Sequence, residues 1–185
     1  MIFSKFFNRK KEDEPKPFNR TVRDLDQGFL FEYDLKTWEV KAVYEYDWGH
    51  ENFTKEYKVS DGVDTYYLAV EEDDDLEIVI CEKVKLRKLP IDFTTNSEGR
   101  FTAPKEVAYN SRIYYLEEES AGYFKDAKDE DIDDNWEEFV SWSYYDDAEE
   151  YCLDIEQWGE NSFEASHGKV LKEFEISNIL PRTQA

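Results

Sequence analysis

The sequence predicts an almost all-β protein whose antiparallel strands form a sandwich-like or partly open barrel, built from two related β units. Three observations lead to this prediction: apolar and polar residues alternate, turn residues separate the alternating runs, and a short pattern recurs later in the chain. An alternation with a period of two is typical of strands with one buried face, whereas helices repeat every 3.6 residues.

The alternation is clearest in the first half of the chain. Aromatic and aliphatic residues occupy every second position, with few exceptions, in the runs 38–47, 53–59, 66–70 and 76–81. The sequences Trp48-Gly49-His50 and Ser60-Asp61-Gly62 separate consecutive runs and contain typical turn residues. Short alternating runs joined by such turns indicate hairpins and antiparallel meanders.

The same patterns divide the chain into four predicted segments. These are a flexible N-terminal tail (1–20), a first β unit (21–89), a connection (90–106) and a second β unit (107–185). The tail is polar and contains Pro15 and Pro17, and the connection contains Pro90 and Pro104. Proline interrupts both helices and central strands, which is why these segments separate the units.

A short pattern links the two predicted units. Tyr66, Leu68, Val70 and Glu71 recur 85 positions later as Tyr151, Leu153, Ile155 and Glu156. Such a recurrence indicates an internal duplication. The alternative is that this pattern is common to many half-buried strands, and the sequence leaves both explanations open.

Composition limits the classes of partner. The chain has 185 residues, a formal net charge of −22 and 17% aromatic residues, so a packed core is expected despite the charge. An acidic surface opposes binding to nucleic acid and to anionic membranes, and it favours basic partners or cations.

The termini and the cysteines bear on location. No stretch is long and apolar enough to cross a bilayer, no secretory signal precedes the first β unit, and Cys81 and Cys152 are the two cysteines. The predicted location is therefore the cytoplasm. Phe3, Phe6 and Phe7, followed by basic residues, allow a short helix that touches the inner membrane, but such a short helix is marginal in water, so an unstructured tail is the favoured interpretation.

No catalytic, cofactor or metal motif is found in the sequence. His50 and His167 are the two histidines, and a calcium-loop pattern that starts at Asp129 fails at Asp134 and Val140. No phosphate-binding loop or nucleophile elbow is present. We therefore expect no cofactor, no metal and no enzymatic activity.

Five residues are the candidates for binding a ligand or a partner: Trp48, His50, Glu71, Glu156 and Trp158. Trp48 and Trp158 each precede a glycine turn, where a tryptophan either covers the open end of a β core or anchors a partner. Glu71 and Glu156 occupy matching positions of the repeat. They form a symmetric polar site, or they lie on the solvated strand face, or they make a buried structural hydrogen bond.

The sequence resembles the bacterial domain-of-unknown-function family 4178 over residues 25–181. The resemblance depends on aromatic-rich segments: Trp38-Glu39-Val40, Tyr46-Asp47-Trp48-Gly49, Tyr57, Tyr66-Tyr67-Leu68, Tyr114-Tyr115-Leu116-Glu117, Trp136-Glu137-Glu138-Phe139, Trp142-Ser143-Tyr144, Ile155-Glu156-Gln157-Trp158-Gly159 and Phe163-Glu164-Ala165-Ser166. It implies a β-rich fold without an established activity. The genes found near family members further imply a role linked to envelope stress or to polyamines.

The leading functional hypothesis is a non-catalytic interaction module that binds a protein partner, including one in a membrane-associated complex, or a polyamine. One alternative is an acidic inhibitor or immunity-type protein that covers a basic partner. The other is an enzyme that acts on a cationic small molecule. A deep pocket with converging carboxylates would favour the enzyme, and a flat solvated surface would exclude it.

Overall fold

The structure is a computed structural model that describes residues 20–49, 52–72, 75–128 and 136–181. The predicted tail, except Arg20, lies outside these residues, as does His50. The strands are β1 (Leu30–Tyr33), β2 (Lys36–Asp47), β3 (Phe53–Ser60), β4 (Thr65–Glu72), β5 (Leu76–Lys83), β6 (Glu106–Tyr109), β7 (Arg112–Asp126), β8 (Glu137–Tyr145), β9 (Tyr151–Gln157), β10 (Phe163–Leu171) and β11 (Ser177–Leu180). Short 3-10 helices span Val22–Asp24, Leu86–Lys88 and Glu173–Glu175.

In this described part of the chain, all strands belong to one antiparallel sheet. The strand order is β11-β1-β2-β3-β4-β5-β10-β9-β8-β7-β6, and β2 also pairs with β7. This additional pairing runs from Tyr44 opposite Asp126 to Asp47 opposite Tyr123. It closes eight strands into a ring, in the order β2, β3, β4, β5, β10, β9, β8 and β7. The predicted all-β antiparallel fold is confirmed, in the form of a partly closed ring.

Strands β1 to β5 form one set, in which each strand pairs with the next one along the chain, and strands β6 to β10 form a second set with the same pairing order. Each set begins with a hairpin in which both turn residues have a positive φ, at Asp34 and Leu35 (48° and 60°) and at Asn110 and Ser111 (46° and 63°). Such two-residue turns match the right-handed twist of the flanking strands.

An ion pair recurs at equivalent places in the two sets. Lys36, directly after the first hairpin turn, contacts Asp61 at 2.8 Å, and Arg112, directly after the second, contacts Asp146 at 2.6 Å. Each aspartate follows the third strand of its set, and its other carboxylate oxygen accepts backbone N–H groups of the next turn. The same residue types therefore fix the same turn twice.

Strand register shows that the two sets are related by a pseudo-twofold axis. Residues of β9 follow their counterparts in β4 by 85 positions, and residues of β10 follow those in β5 by 87. With the second relation, Cys81 and Gly168 are counterparts, and they lie directly opposite each other where β5 pairs with β10. A residue that faces its own counterpart lies on a twofold axis.

Two hydrophobic cores lie on one face of the sheet, and each includes residues from outside the set of strands on which it is built. The first core is built on β1 to β5 but includes Leu171, at the end of β10, and Ile176 and Ile179, which follow the second set. The second core is built on β6 to β10 but includes Val84, Leu89 and Phe101, which follow the first set. Burial of these residues removes apolar surface from water, at about 25 cal/mol per Å², and links the two sets to each other.

The other face of the ring strands is more polar. Tyr57 and Val59 of β3 and Leu153 and Ile155 of β9 point into the cores, so the residues between them point the opposite way, into the ring. Among the described residues, the structure contains no helix of the length and apolarity needed to cross a membrane.

Candidate functional site

The strands of the ring line a cavity of about 150 Å³. Its lining comes from β2 to β5 and β8 to β10 and includes strands β3 and β9, which lie on opposite sides of the ring. Carboxylates dominate the polar lining: Glu56, Glu71, Glu77, Asp154 and Glu156.

Glu56 lies in the centre of β3 and is half-buried. The hydroxyl group of Tyr46 donates a hydrogen bond to its Oε1 atom at 3.2 Å. Desolvation, reinforced by the nearby charge of Glu156, raises the pKa of Glu56 to about 7. The carboxyl group of Glu56 therefore changes its charge near neutral pH.

Asp154 lies on β9 and belongs to the same cavity. Desolvation raises its pKa to about 6, although a hydrogen bond from the hydroxyl of Ser143 favours the ionised form. Within the described ranges, no ion pair joins Glu56, Glu77 or Asp154 to a lysine or arginine. These three carboxylates of the cavity thus have no direct ion-pair partner among the described lysines and arginines.

One ammonium group is bound at the edge of the cavity. Lys83 Nζ lies 2.8 Å from Glu164 Oε2 and 3.5 Å from Glu156 Oε2, and it lies 5.3 Å from the centre of the Tyr67 ring. Desolvation opposes the charged form of Lys83, but attraction to Glu156 and Glu164 outweighs it and raises the pKa of Lys83. Lys83 shows that two carboxylates and an aromatic face bind a primary ammonium here.

A second carboxylate pair lies on β4 and β5, where Glu71 is directly opposite Glu77. The hydroxyl of Tyr145, on β8, donates to Glu77 Oε1 at 2.8 Å. Like charges that face each other across two strands are unfavourable unless another group compensates them.

A cluster of aromatic rings, which we call the aromatic wall, adjoins the cavity and contributes Tyr46 and Trp48 to its lining. Its members are Tyr46, Trp48, Phe124, Phe139 and Trp158. Trp48 stacks on Tyr46 with ring centres 5.8 Å apart, and Trp158 stacks on Phe139 at 4.8 Å. The indole N–H of Trp48 donates to Thr54 Oγ1 at 3.0 Å, and that of Trp158 donates to Glu156 Oε2 at 3.2 Å. Each indole thus joins the wall to the polar cavity.

Cys81 and Cys152 also face the cavity, on either side of Gly168. Both are free and buried. Burial raises the pKa of each thiol, so both remain uncharged near neutral pH. They act as small apolar groups, as expected for free cysteines on packed strands.

The chain matches the family described as "Domain of unknown function (DUF4178)" over residues 26–173. It belongs to the DUF4178 family. An uncharacterised protein of Aquifex aeolicus (strain VF5) is 28% identical over 180 residues, which cover 96% of each chain. No solved structure matches this DUF4178 chain. Family membership therefore adds no activity to the geometry described above.

The cavity of this DUF4178 chain brings together three of the five residues singled out from the sequence. Trp48, Glu71 and Glu156 line it, and Trp158 bonds to Glu156 from the aromatic wall. His50 lies outside the described residues. A role of these residues in binding a ligand or a partner stays a prediction.

Sequence reasoning missed Glu56, Glu77 and Asp154. Their positions alternate correctly with buried residues, but the polar face of the strands was assigned to solvent. Tyr46, Ser143 and Cys152, which also lie on the polar face, were the available signal, because tyrosine and cysteine are rarely placed on a fully solvated face. Among the described residues, no group of three or more histidine, cysteine or acidic side chains is arranged to hold a metal ion.

Proposed function

We propose that this protein is a non-catalytic binding module that takes an aliphatic amine into the acidic cavity of its ring. The observation that supports the proposal most directly is the half-buried group of carboxylates, of which Glu56 and Asp154 bond to neutral donors. Burial of negative charge is unfavourable unless a proton or a cation compensates it. An organic cation would supply that compensation.

The lining favours an amine over a metal ion. Tyr46 and Trp48 of the aromatic wall line the cavity, and Lys83 already lies over Tyr67 between two carboxylates. The metal-binding geometry is absent from the described residues. A polyamine, which the family resemblance implies, is the specific form of the proposal that we test first.

A partner protein with an exposed lysine would use the same carboxylates. That form of the proposal includes a basic partner of an inhibitor or immunity-type protein and a member of an envelope-stress complex. Its location would be the cytoplasm or the inner surface of the membrane. Nothing in the ring selects one of these partners, so we propose a small amine as the ligand.

An enzyme that acts on a cationic small molecule is the second candidate, because one observation favours it. A carboxyl group with a pKa of about 7, as in Glu56, is suited to general acid–base catalysis near neutral pH. Incubation of the protein with 1,4-diaminobutane and spermidine, followed by mass spectrometry of the amines, separates the two candidates: a new product supports the enzyme, and unchanged amines support the binding module.

Calorimetric titration with 1,4-diaminobutane in about 150 mM salt tests the proposal, because salt at this level screens unspecific attraction to the acidic surface. We expect saturable binding that the double substitution Glu56→Gln with Asp154→Asn weakens by roughly tenfold or more. Glu117→Gln, an exposed position outside the cavity, is the control and should bind as the wild type does.

The affinity should also increase from pH 5.5 to pH 8. Glu56 and Asp154, with pKa values of about 7 and about 6, are increasingly ionised over this range, and only the ionised forms attract the ammonium group. Binding that is absent at pH 8, or that is equally strong in the double variant, would contradict the proposal.

A further inference from the structure

The two sets of strands differ at their outer edges. Strands β1 and β6 are counterparts, because each begins its set and leads into the two-residue turn with positive φ. β1 pairs with β2 on one side and with β11 on the other. β6 pairs with β7 on one side, and no described strand pairs with its other side. The edge that β11 covers in the first set is therefore open in the second, as far as the described residues extend.

Strand register identifies the backbone groups that this open edge presents. Residues of β6 follow their counterparts in β1 by 76 positions, as the residues of the two turns do. β11 lies opposite Leu30 and Glu32, whose counterparts are Glu106 and Ala108. Successive residues of a strand direct their N–H and C=O groups to opposite edges, so Glu106 and Ala108 direct these groups away from β7. Both residues are exposed, and a further strand can reach them.

The sequence explains why the chain does not cover this edge itself. Each set is followed by a short 3-10 helix and then by a counterpart segment, at a spacing of 87 positions. Ser177, the first residue of β11, corresponds to Pro90, which has no N–H group to donate to a sheet. Ile179, which is buried in the first core, corresponds to Asp92, whose carboxylate is unfavourable in such a position. The segment that begins at Pro90 therefore cannot pair as β11 does.

We propose that the outer edge of β6 binds an extended, basic segment of a partner protein by β-strand addition, in the position that β11 occupies on β1. The main chain of the partner would bond to Glu106 and Ala108, so pairing depends on backbone groups. The inference is separate from the proposed function, because neither residue lines the acidic cavity.

Charge favours a basic partner over a second copy of the chain. The formal net charge of −22 makes two copies repel each other, whereas it attracts a segment rich in lysine or arginine. Glu106 and the exposed glutamates at 117–119 of β7 give this end of the sheet a negative charge that Lys105 offsets only in part.

The edge is already held in the conformation that a partner strand needs. Val107 and Tyr109, which alternate with the outward residues, are 1% and 8% exposed and pack into the second core. Because these side chains fix β6 to the sheet, only the partner segment loses conformational freedom on binding.

Calorimetric titration of the full chain with acetyl-Lys-Val-Lys-Val-Lys-amide, in about 150 mM salt, tests the inference. We expect saturable binding of this peptide. The control peptide is acetyl-Lys-Pro-Lys-Pro-Lys-amide, which has the same charge but cannot form a paired strand. It should not bind, and equal binding of the two peptides would show attraction to the acidic surface alone and overturn the inference.

Ala108→Pro removes the outward N–H group and should weaken binding of the valine peptide by roughly tenfold or more. Ala108→Thr is the matched control, because threonine keeps the N–H group at the same exposed position, and it should bind as the wild type does. Both variants should unfold close to the wild-type midpoint, since no described strand uses this edge. Unchanged binding by Ala108→Pro would overturn the inference.

Amide hydrogen exchange measured by NMR tests the edge without a substitution. In the free protein, the amide of Ala108 should exchange faster than that of its covered counterpart row at Leu30, and the valine peptide should slow it. Protection of Ala108 in the free chain would mean that the chain already covers this edge, and self-association that Ala108→Pro abolishes would assign the edge to a second copy. Either result would overturn a partner protein as the occupant.

Discussion

Gly168→Ala is expected to destabilise the protein by about 2–3 kcal/mol, which corresponds to a fall of roughly 5–10 °C in the unfolding midpoint. A Cβ atom at position 168 would lie 2.6 Å from Val79 Cγ1, 2.8 Å from Cys152 Sγ and 3.1 Å from Cys81 Cβ. Val79 is β-branched and lies in the centre of the sheet, so it has little freedom to move away. Chemical denaturation followed by tryptophan fluorescence measures the loss.

Val79→Ala in the same chain is the control for this steric explanation. It removes the methyl group nearest to the added Cβ atom, so the double variant should be at least about 1 kcal/mol more stable than the two single losses predict. A gain in stability from Gly168→Ala, as alanine gives at unstrained glycines, would contradict the close packing at the pseudo-twofold axis.

Glu56→Gln is expected to stabilise the protein by about 2 kcal/mol at pH 8 and by less than about 1 kcal/mol at pH 5, because the loss begins near the unfolded pKa. The pKa of Glu56 is about 7 in the folded chain and lies near 4.3 for an ordinary glutamate, so the folded state holds the proton more tightly than the unfolded state. Stability from this group is therefore present at low pH and is lost as the pH rises through the folded pKa. Glutamine never ionises and avoids the loss.

Urea denaturation of the wild type and of Glu56→Gln, at pH 5 and at pH 8, measures the difference in their free energies of unfolding. Glu117→Gln removes one carboxylate from an exposed position and should show no comparable dependence on pH. An equal effect of Glu56→Gln at the two pH values would mean that the carboxyl group of Glu56 remains ionised throughout. The desolvation of the cavity would then be smaller than the geometry indicates.

The fold class could be predicted because the alternation in sequence has a local cause. Each ring strand has one face in a hydrophobic core, so residues such as Val59 and Leu153 recur at every second position. The closure of the ring could not be predicted, because it depends on the pairing of β2 with β7, which are distant in sequence. The boundaries of the segments 1–20, 21–89, 90–106 and 107–185 stay a prediction.

β7 shows where local reasoning was incomplete. Residues 112–126 do not keep one continuous alternation, yet the chain forms one long strand there, with a bulge between Leu116 and Glu118. A bulge adds a residue to one strand and interrupts the alternation without ending the strand. The first part of β7 pairs with β6, and its last part pairs with β2 and closes the ring. Both parts of the strand therefore contribute to the sheet.

The candidate site was predicted only in part, for a similar reason. Glu71 and Glu156 were selected because the repeat marked them, and both line the cavity. Glu56 and Asp154 carried no such mark, since a polar position on a strand has the same sequence pattern whether it faces solvent or a second interior. Only the curvature of the complete sheet distinguishes these two environments.

The pairing of Cys81 with Gly168 has an evolutionary consequence. In a homodimer of one repeat, the residue on the symmetry axis faces its own copy, so a single codon determines both sides. Fusion of two repeats into one gene removes this constraint, and the two sides can then diverge independently. The present combination, in which a glycine leaves space for the side chains of Cys81 and Cys152, is one that an assembly of identical halves cannot reach.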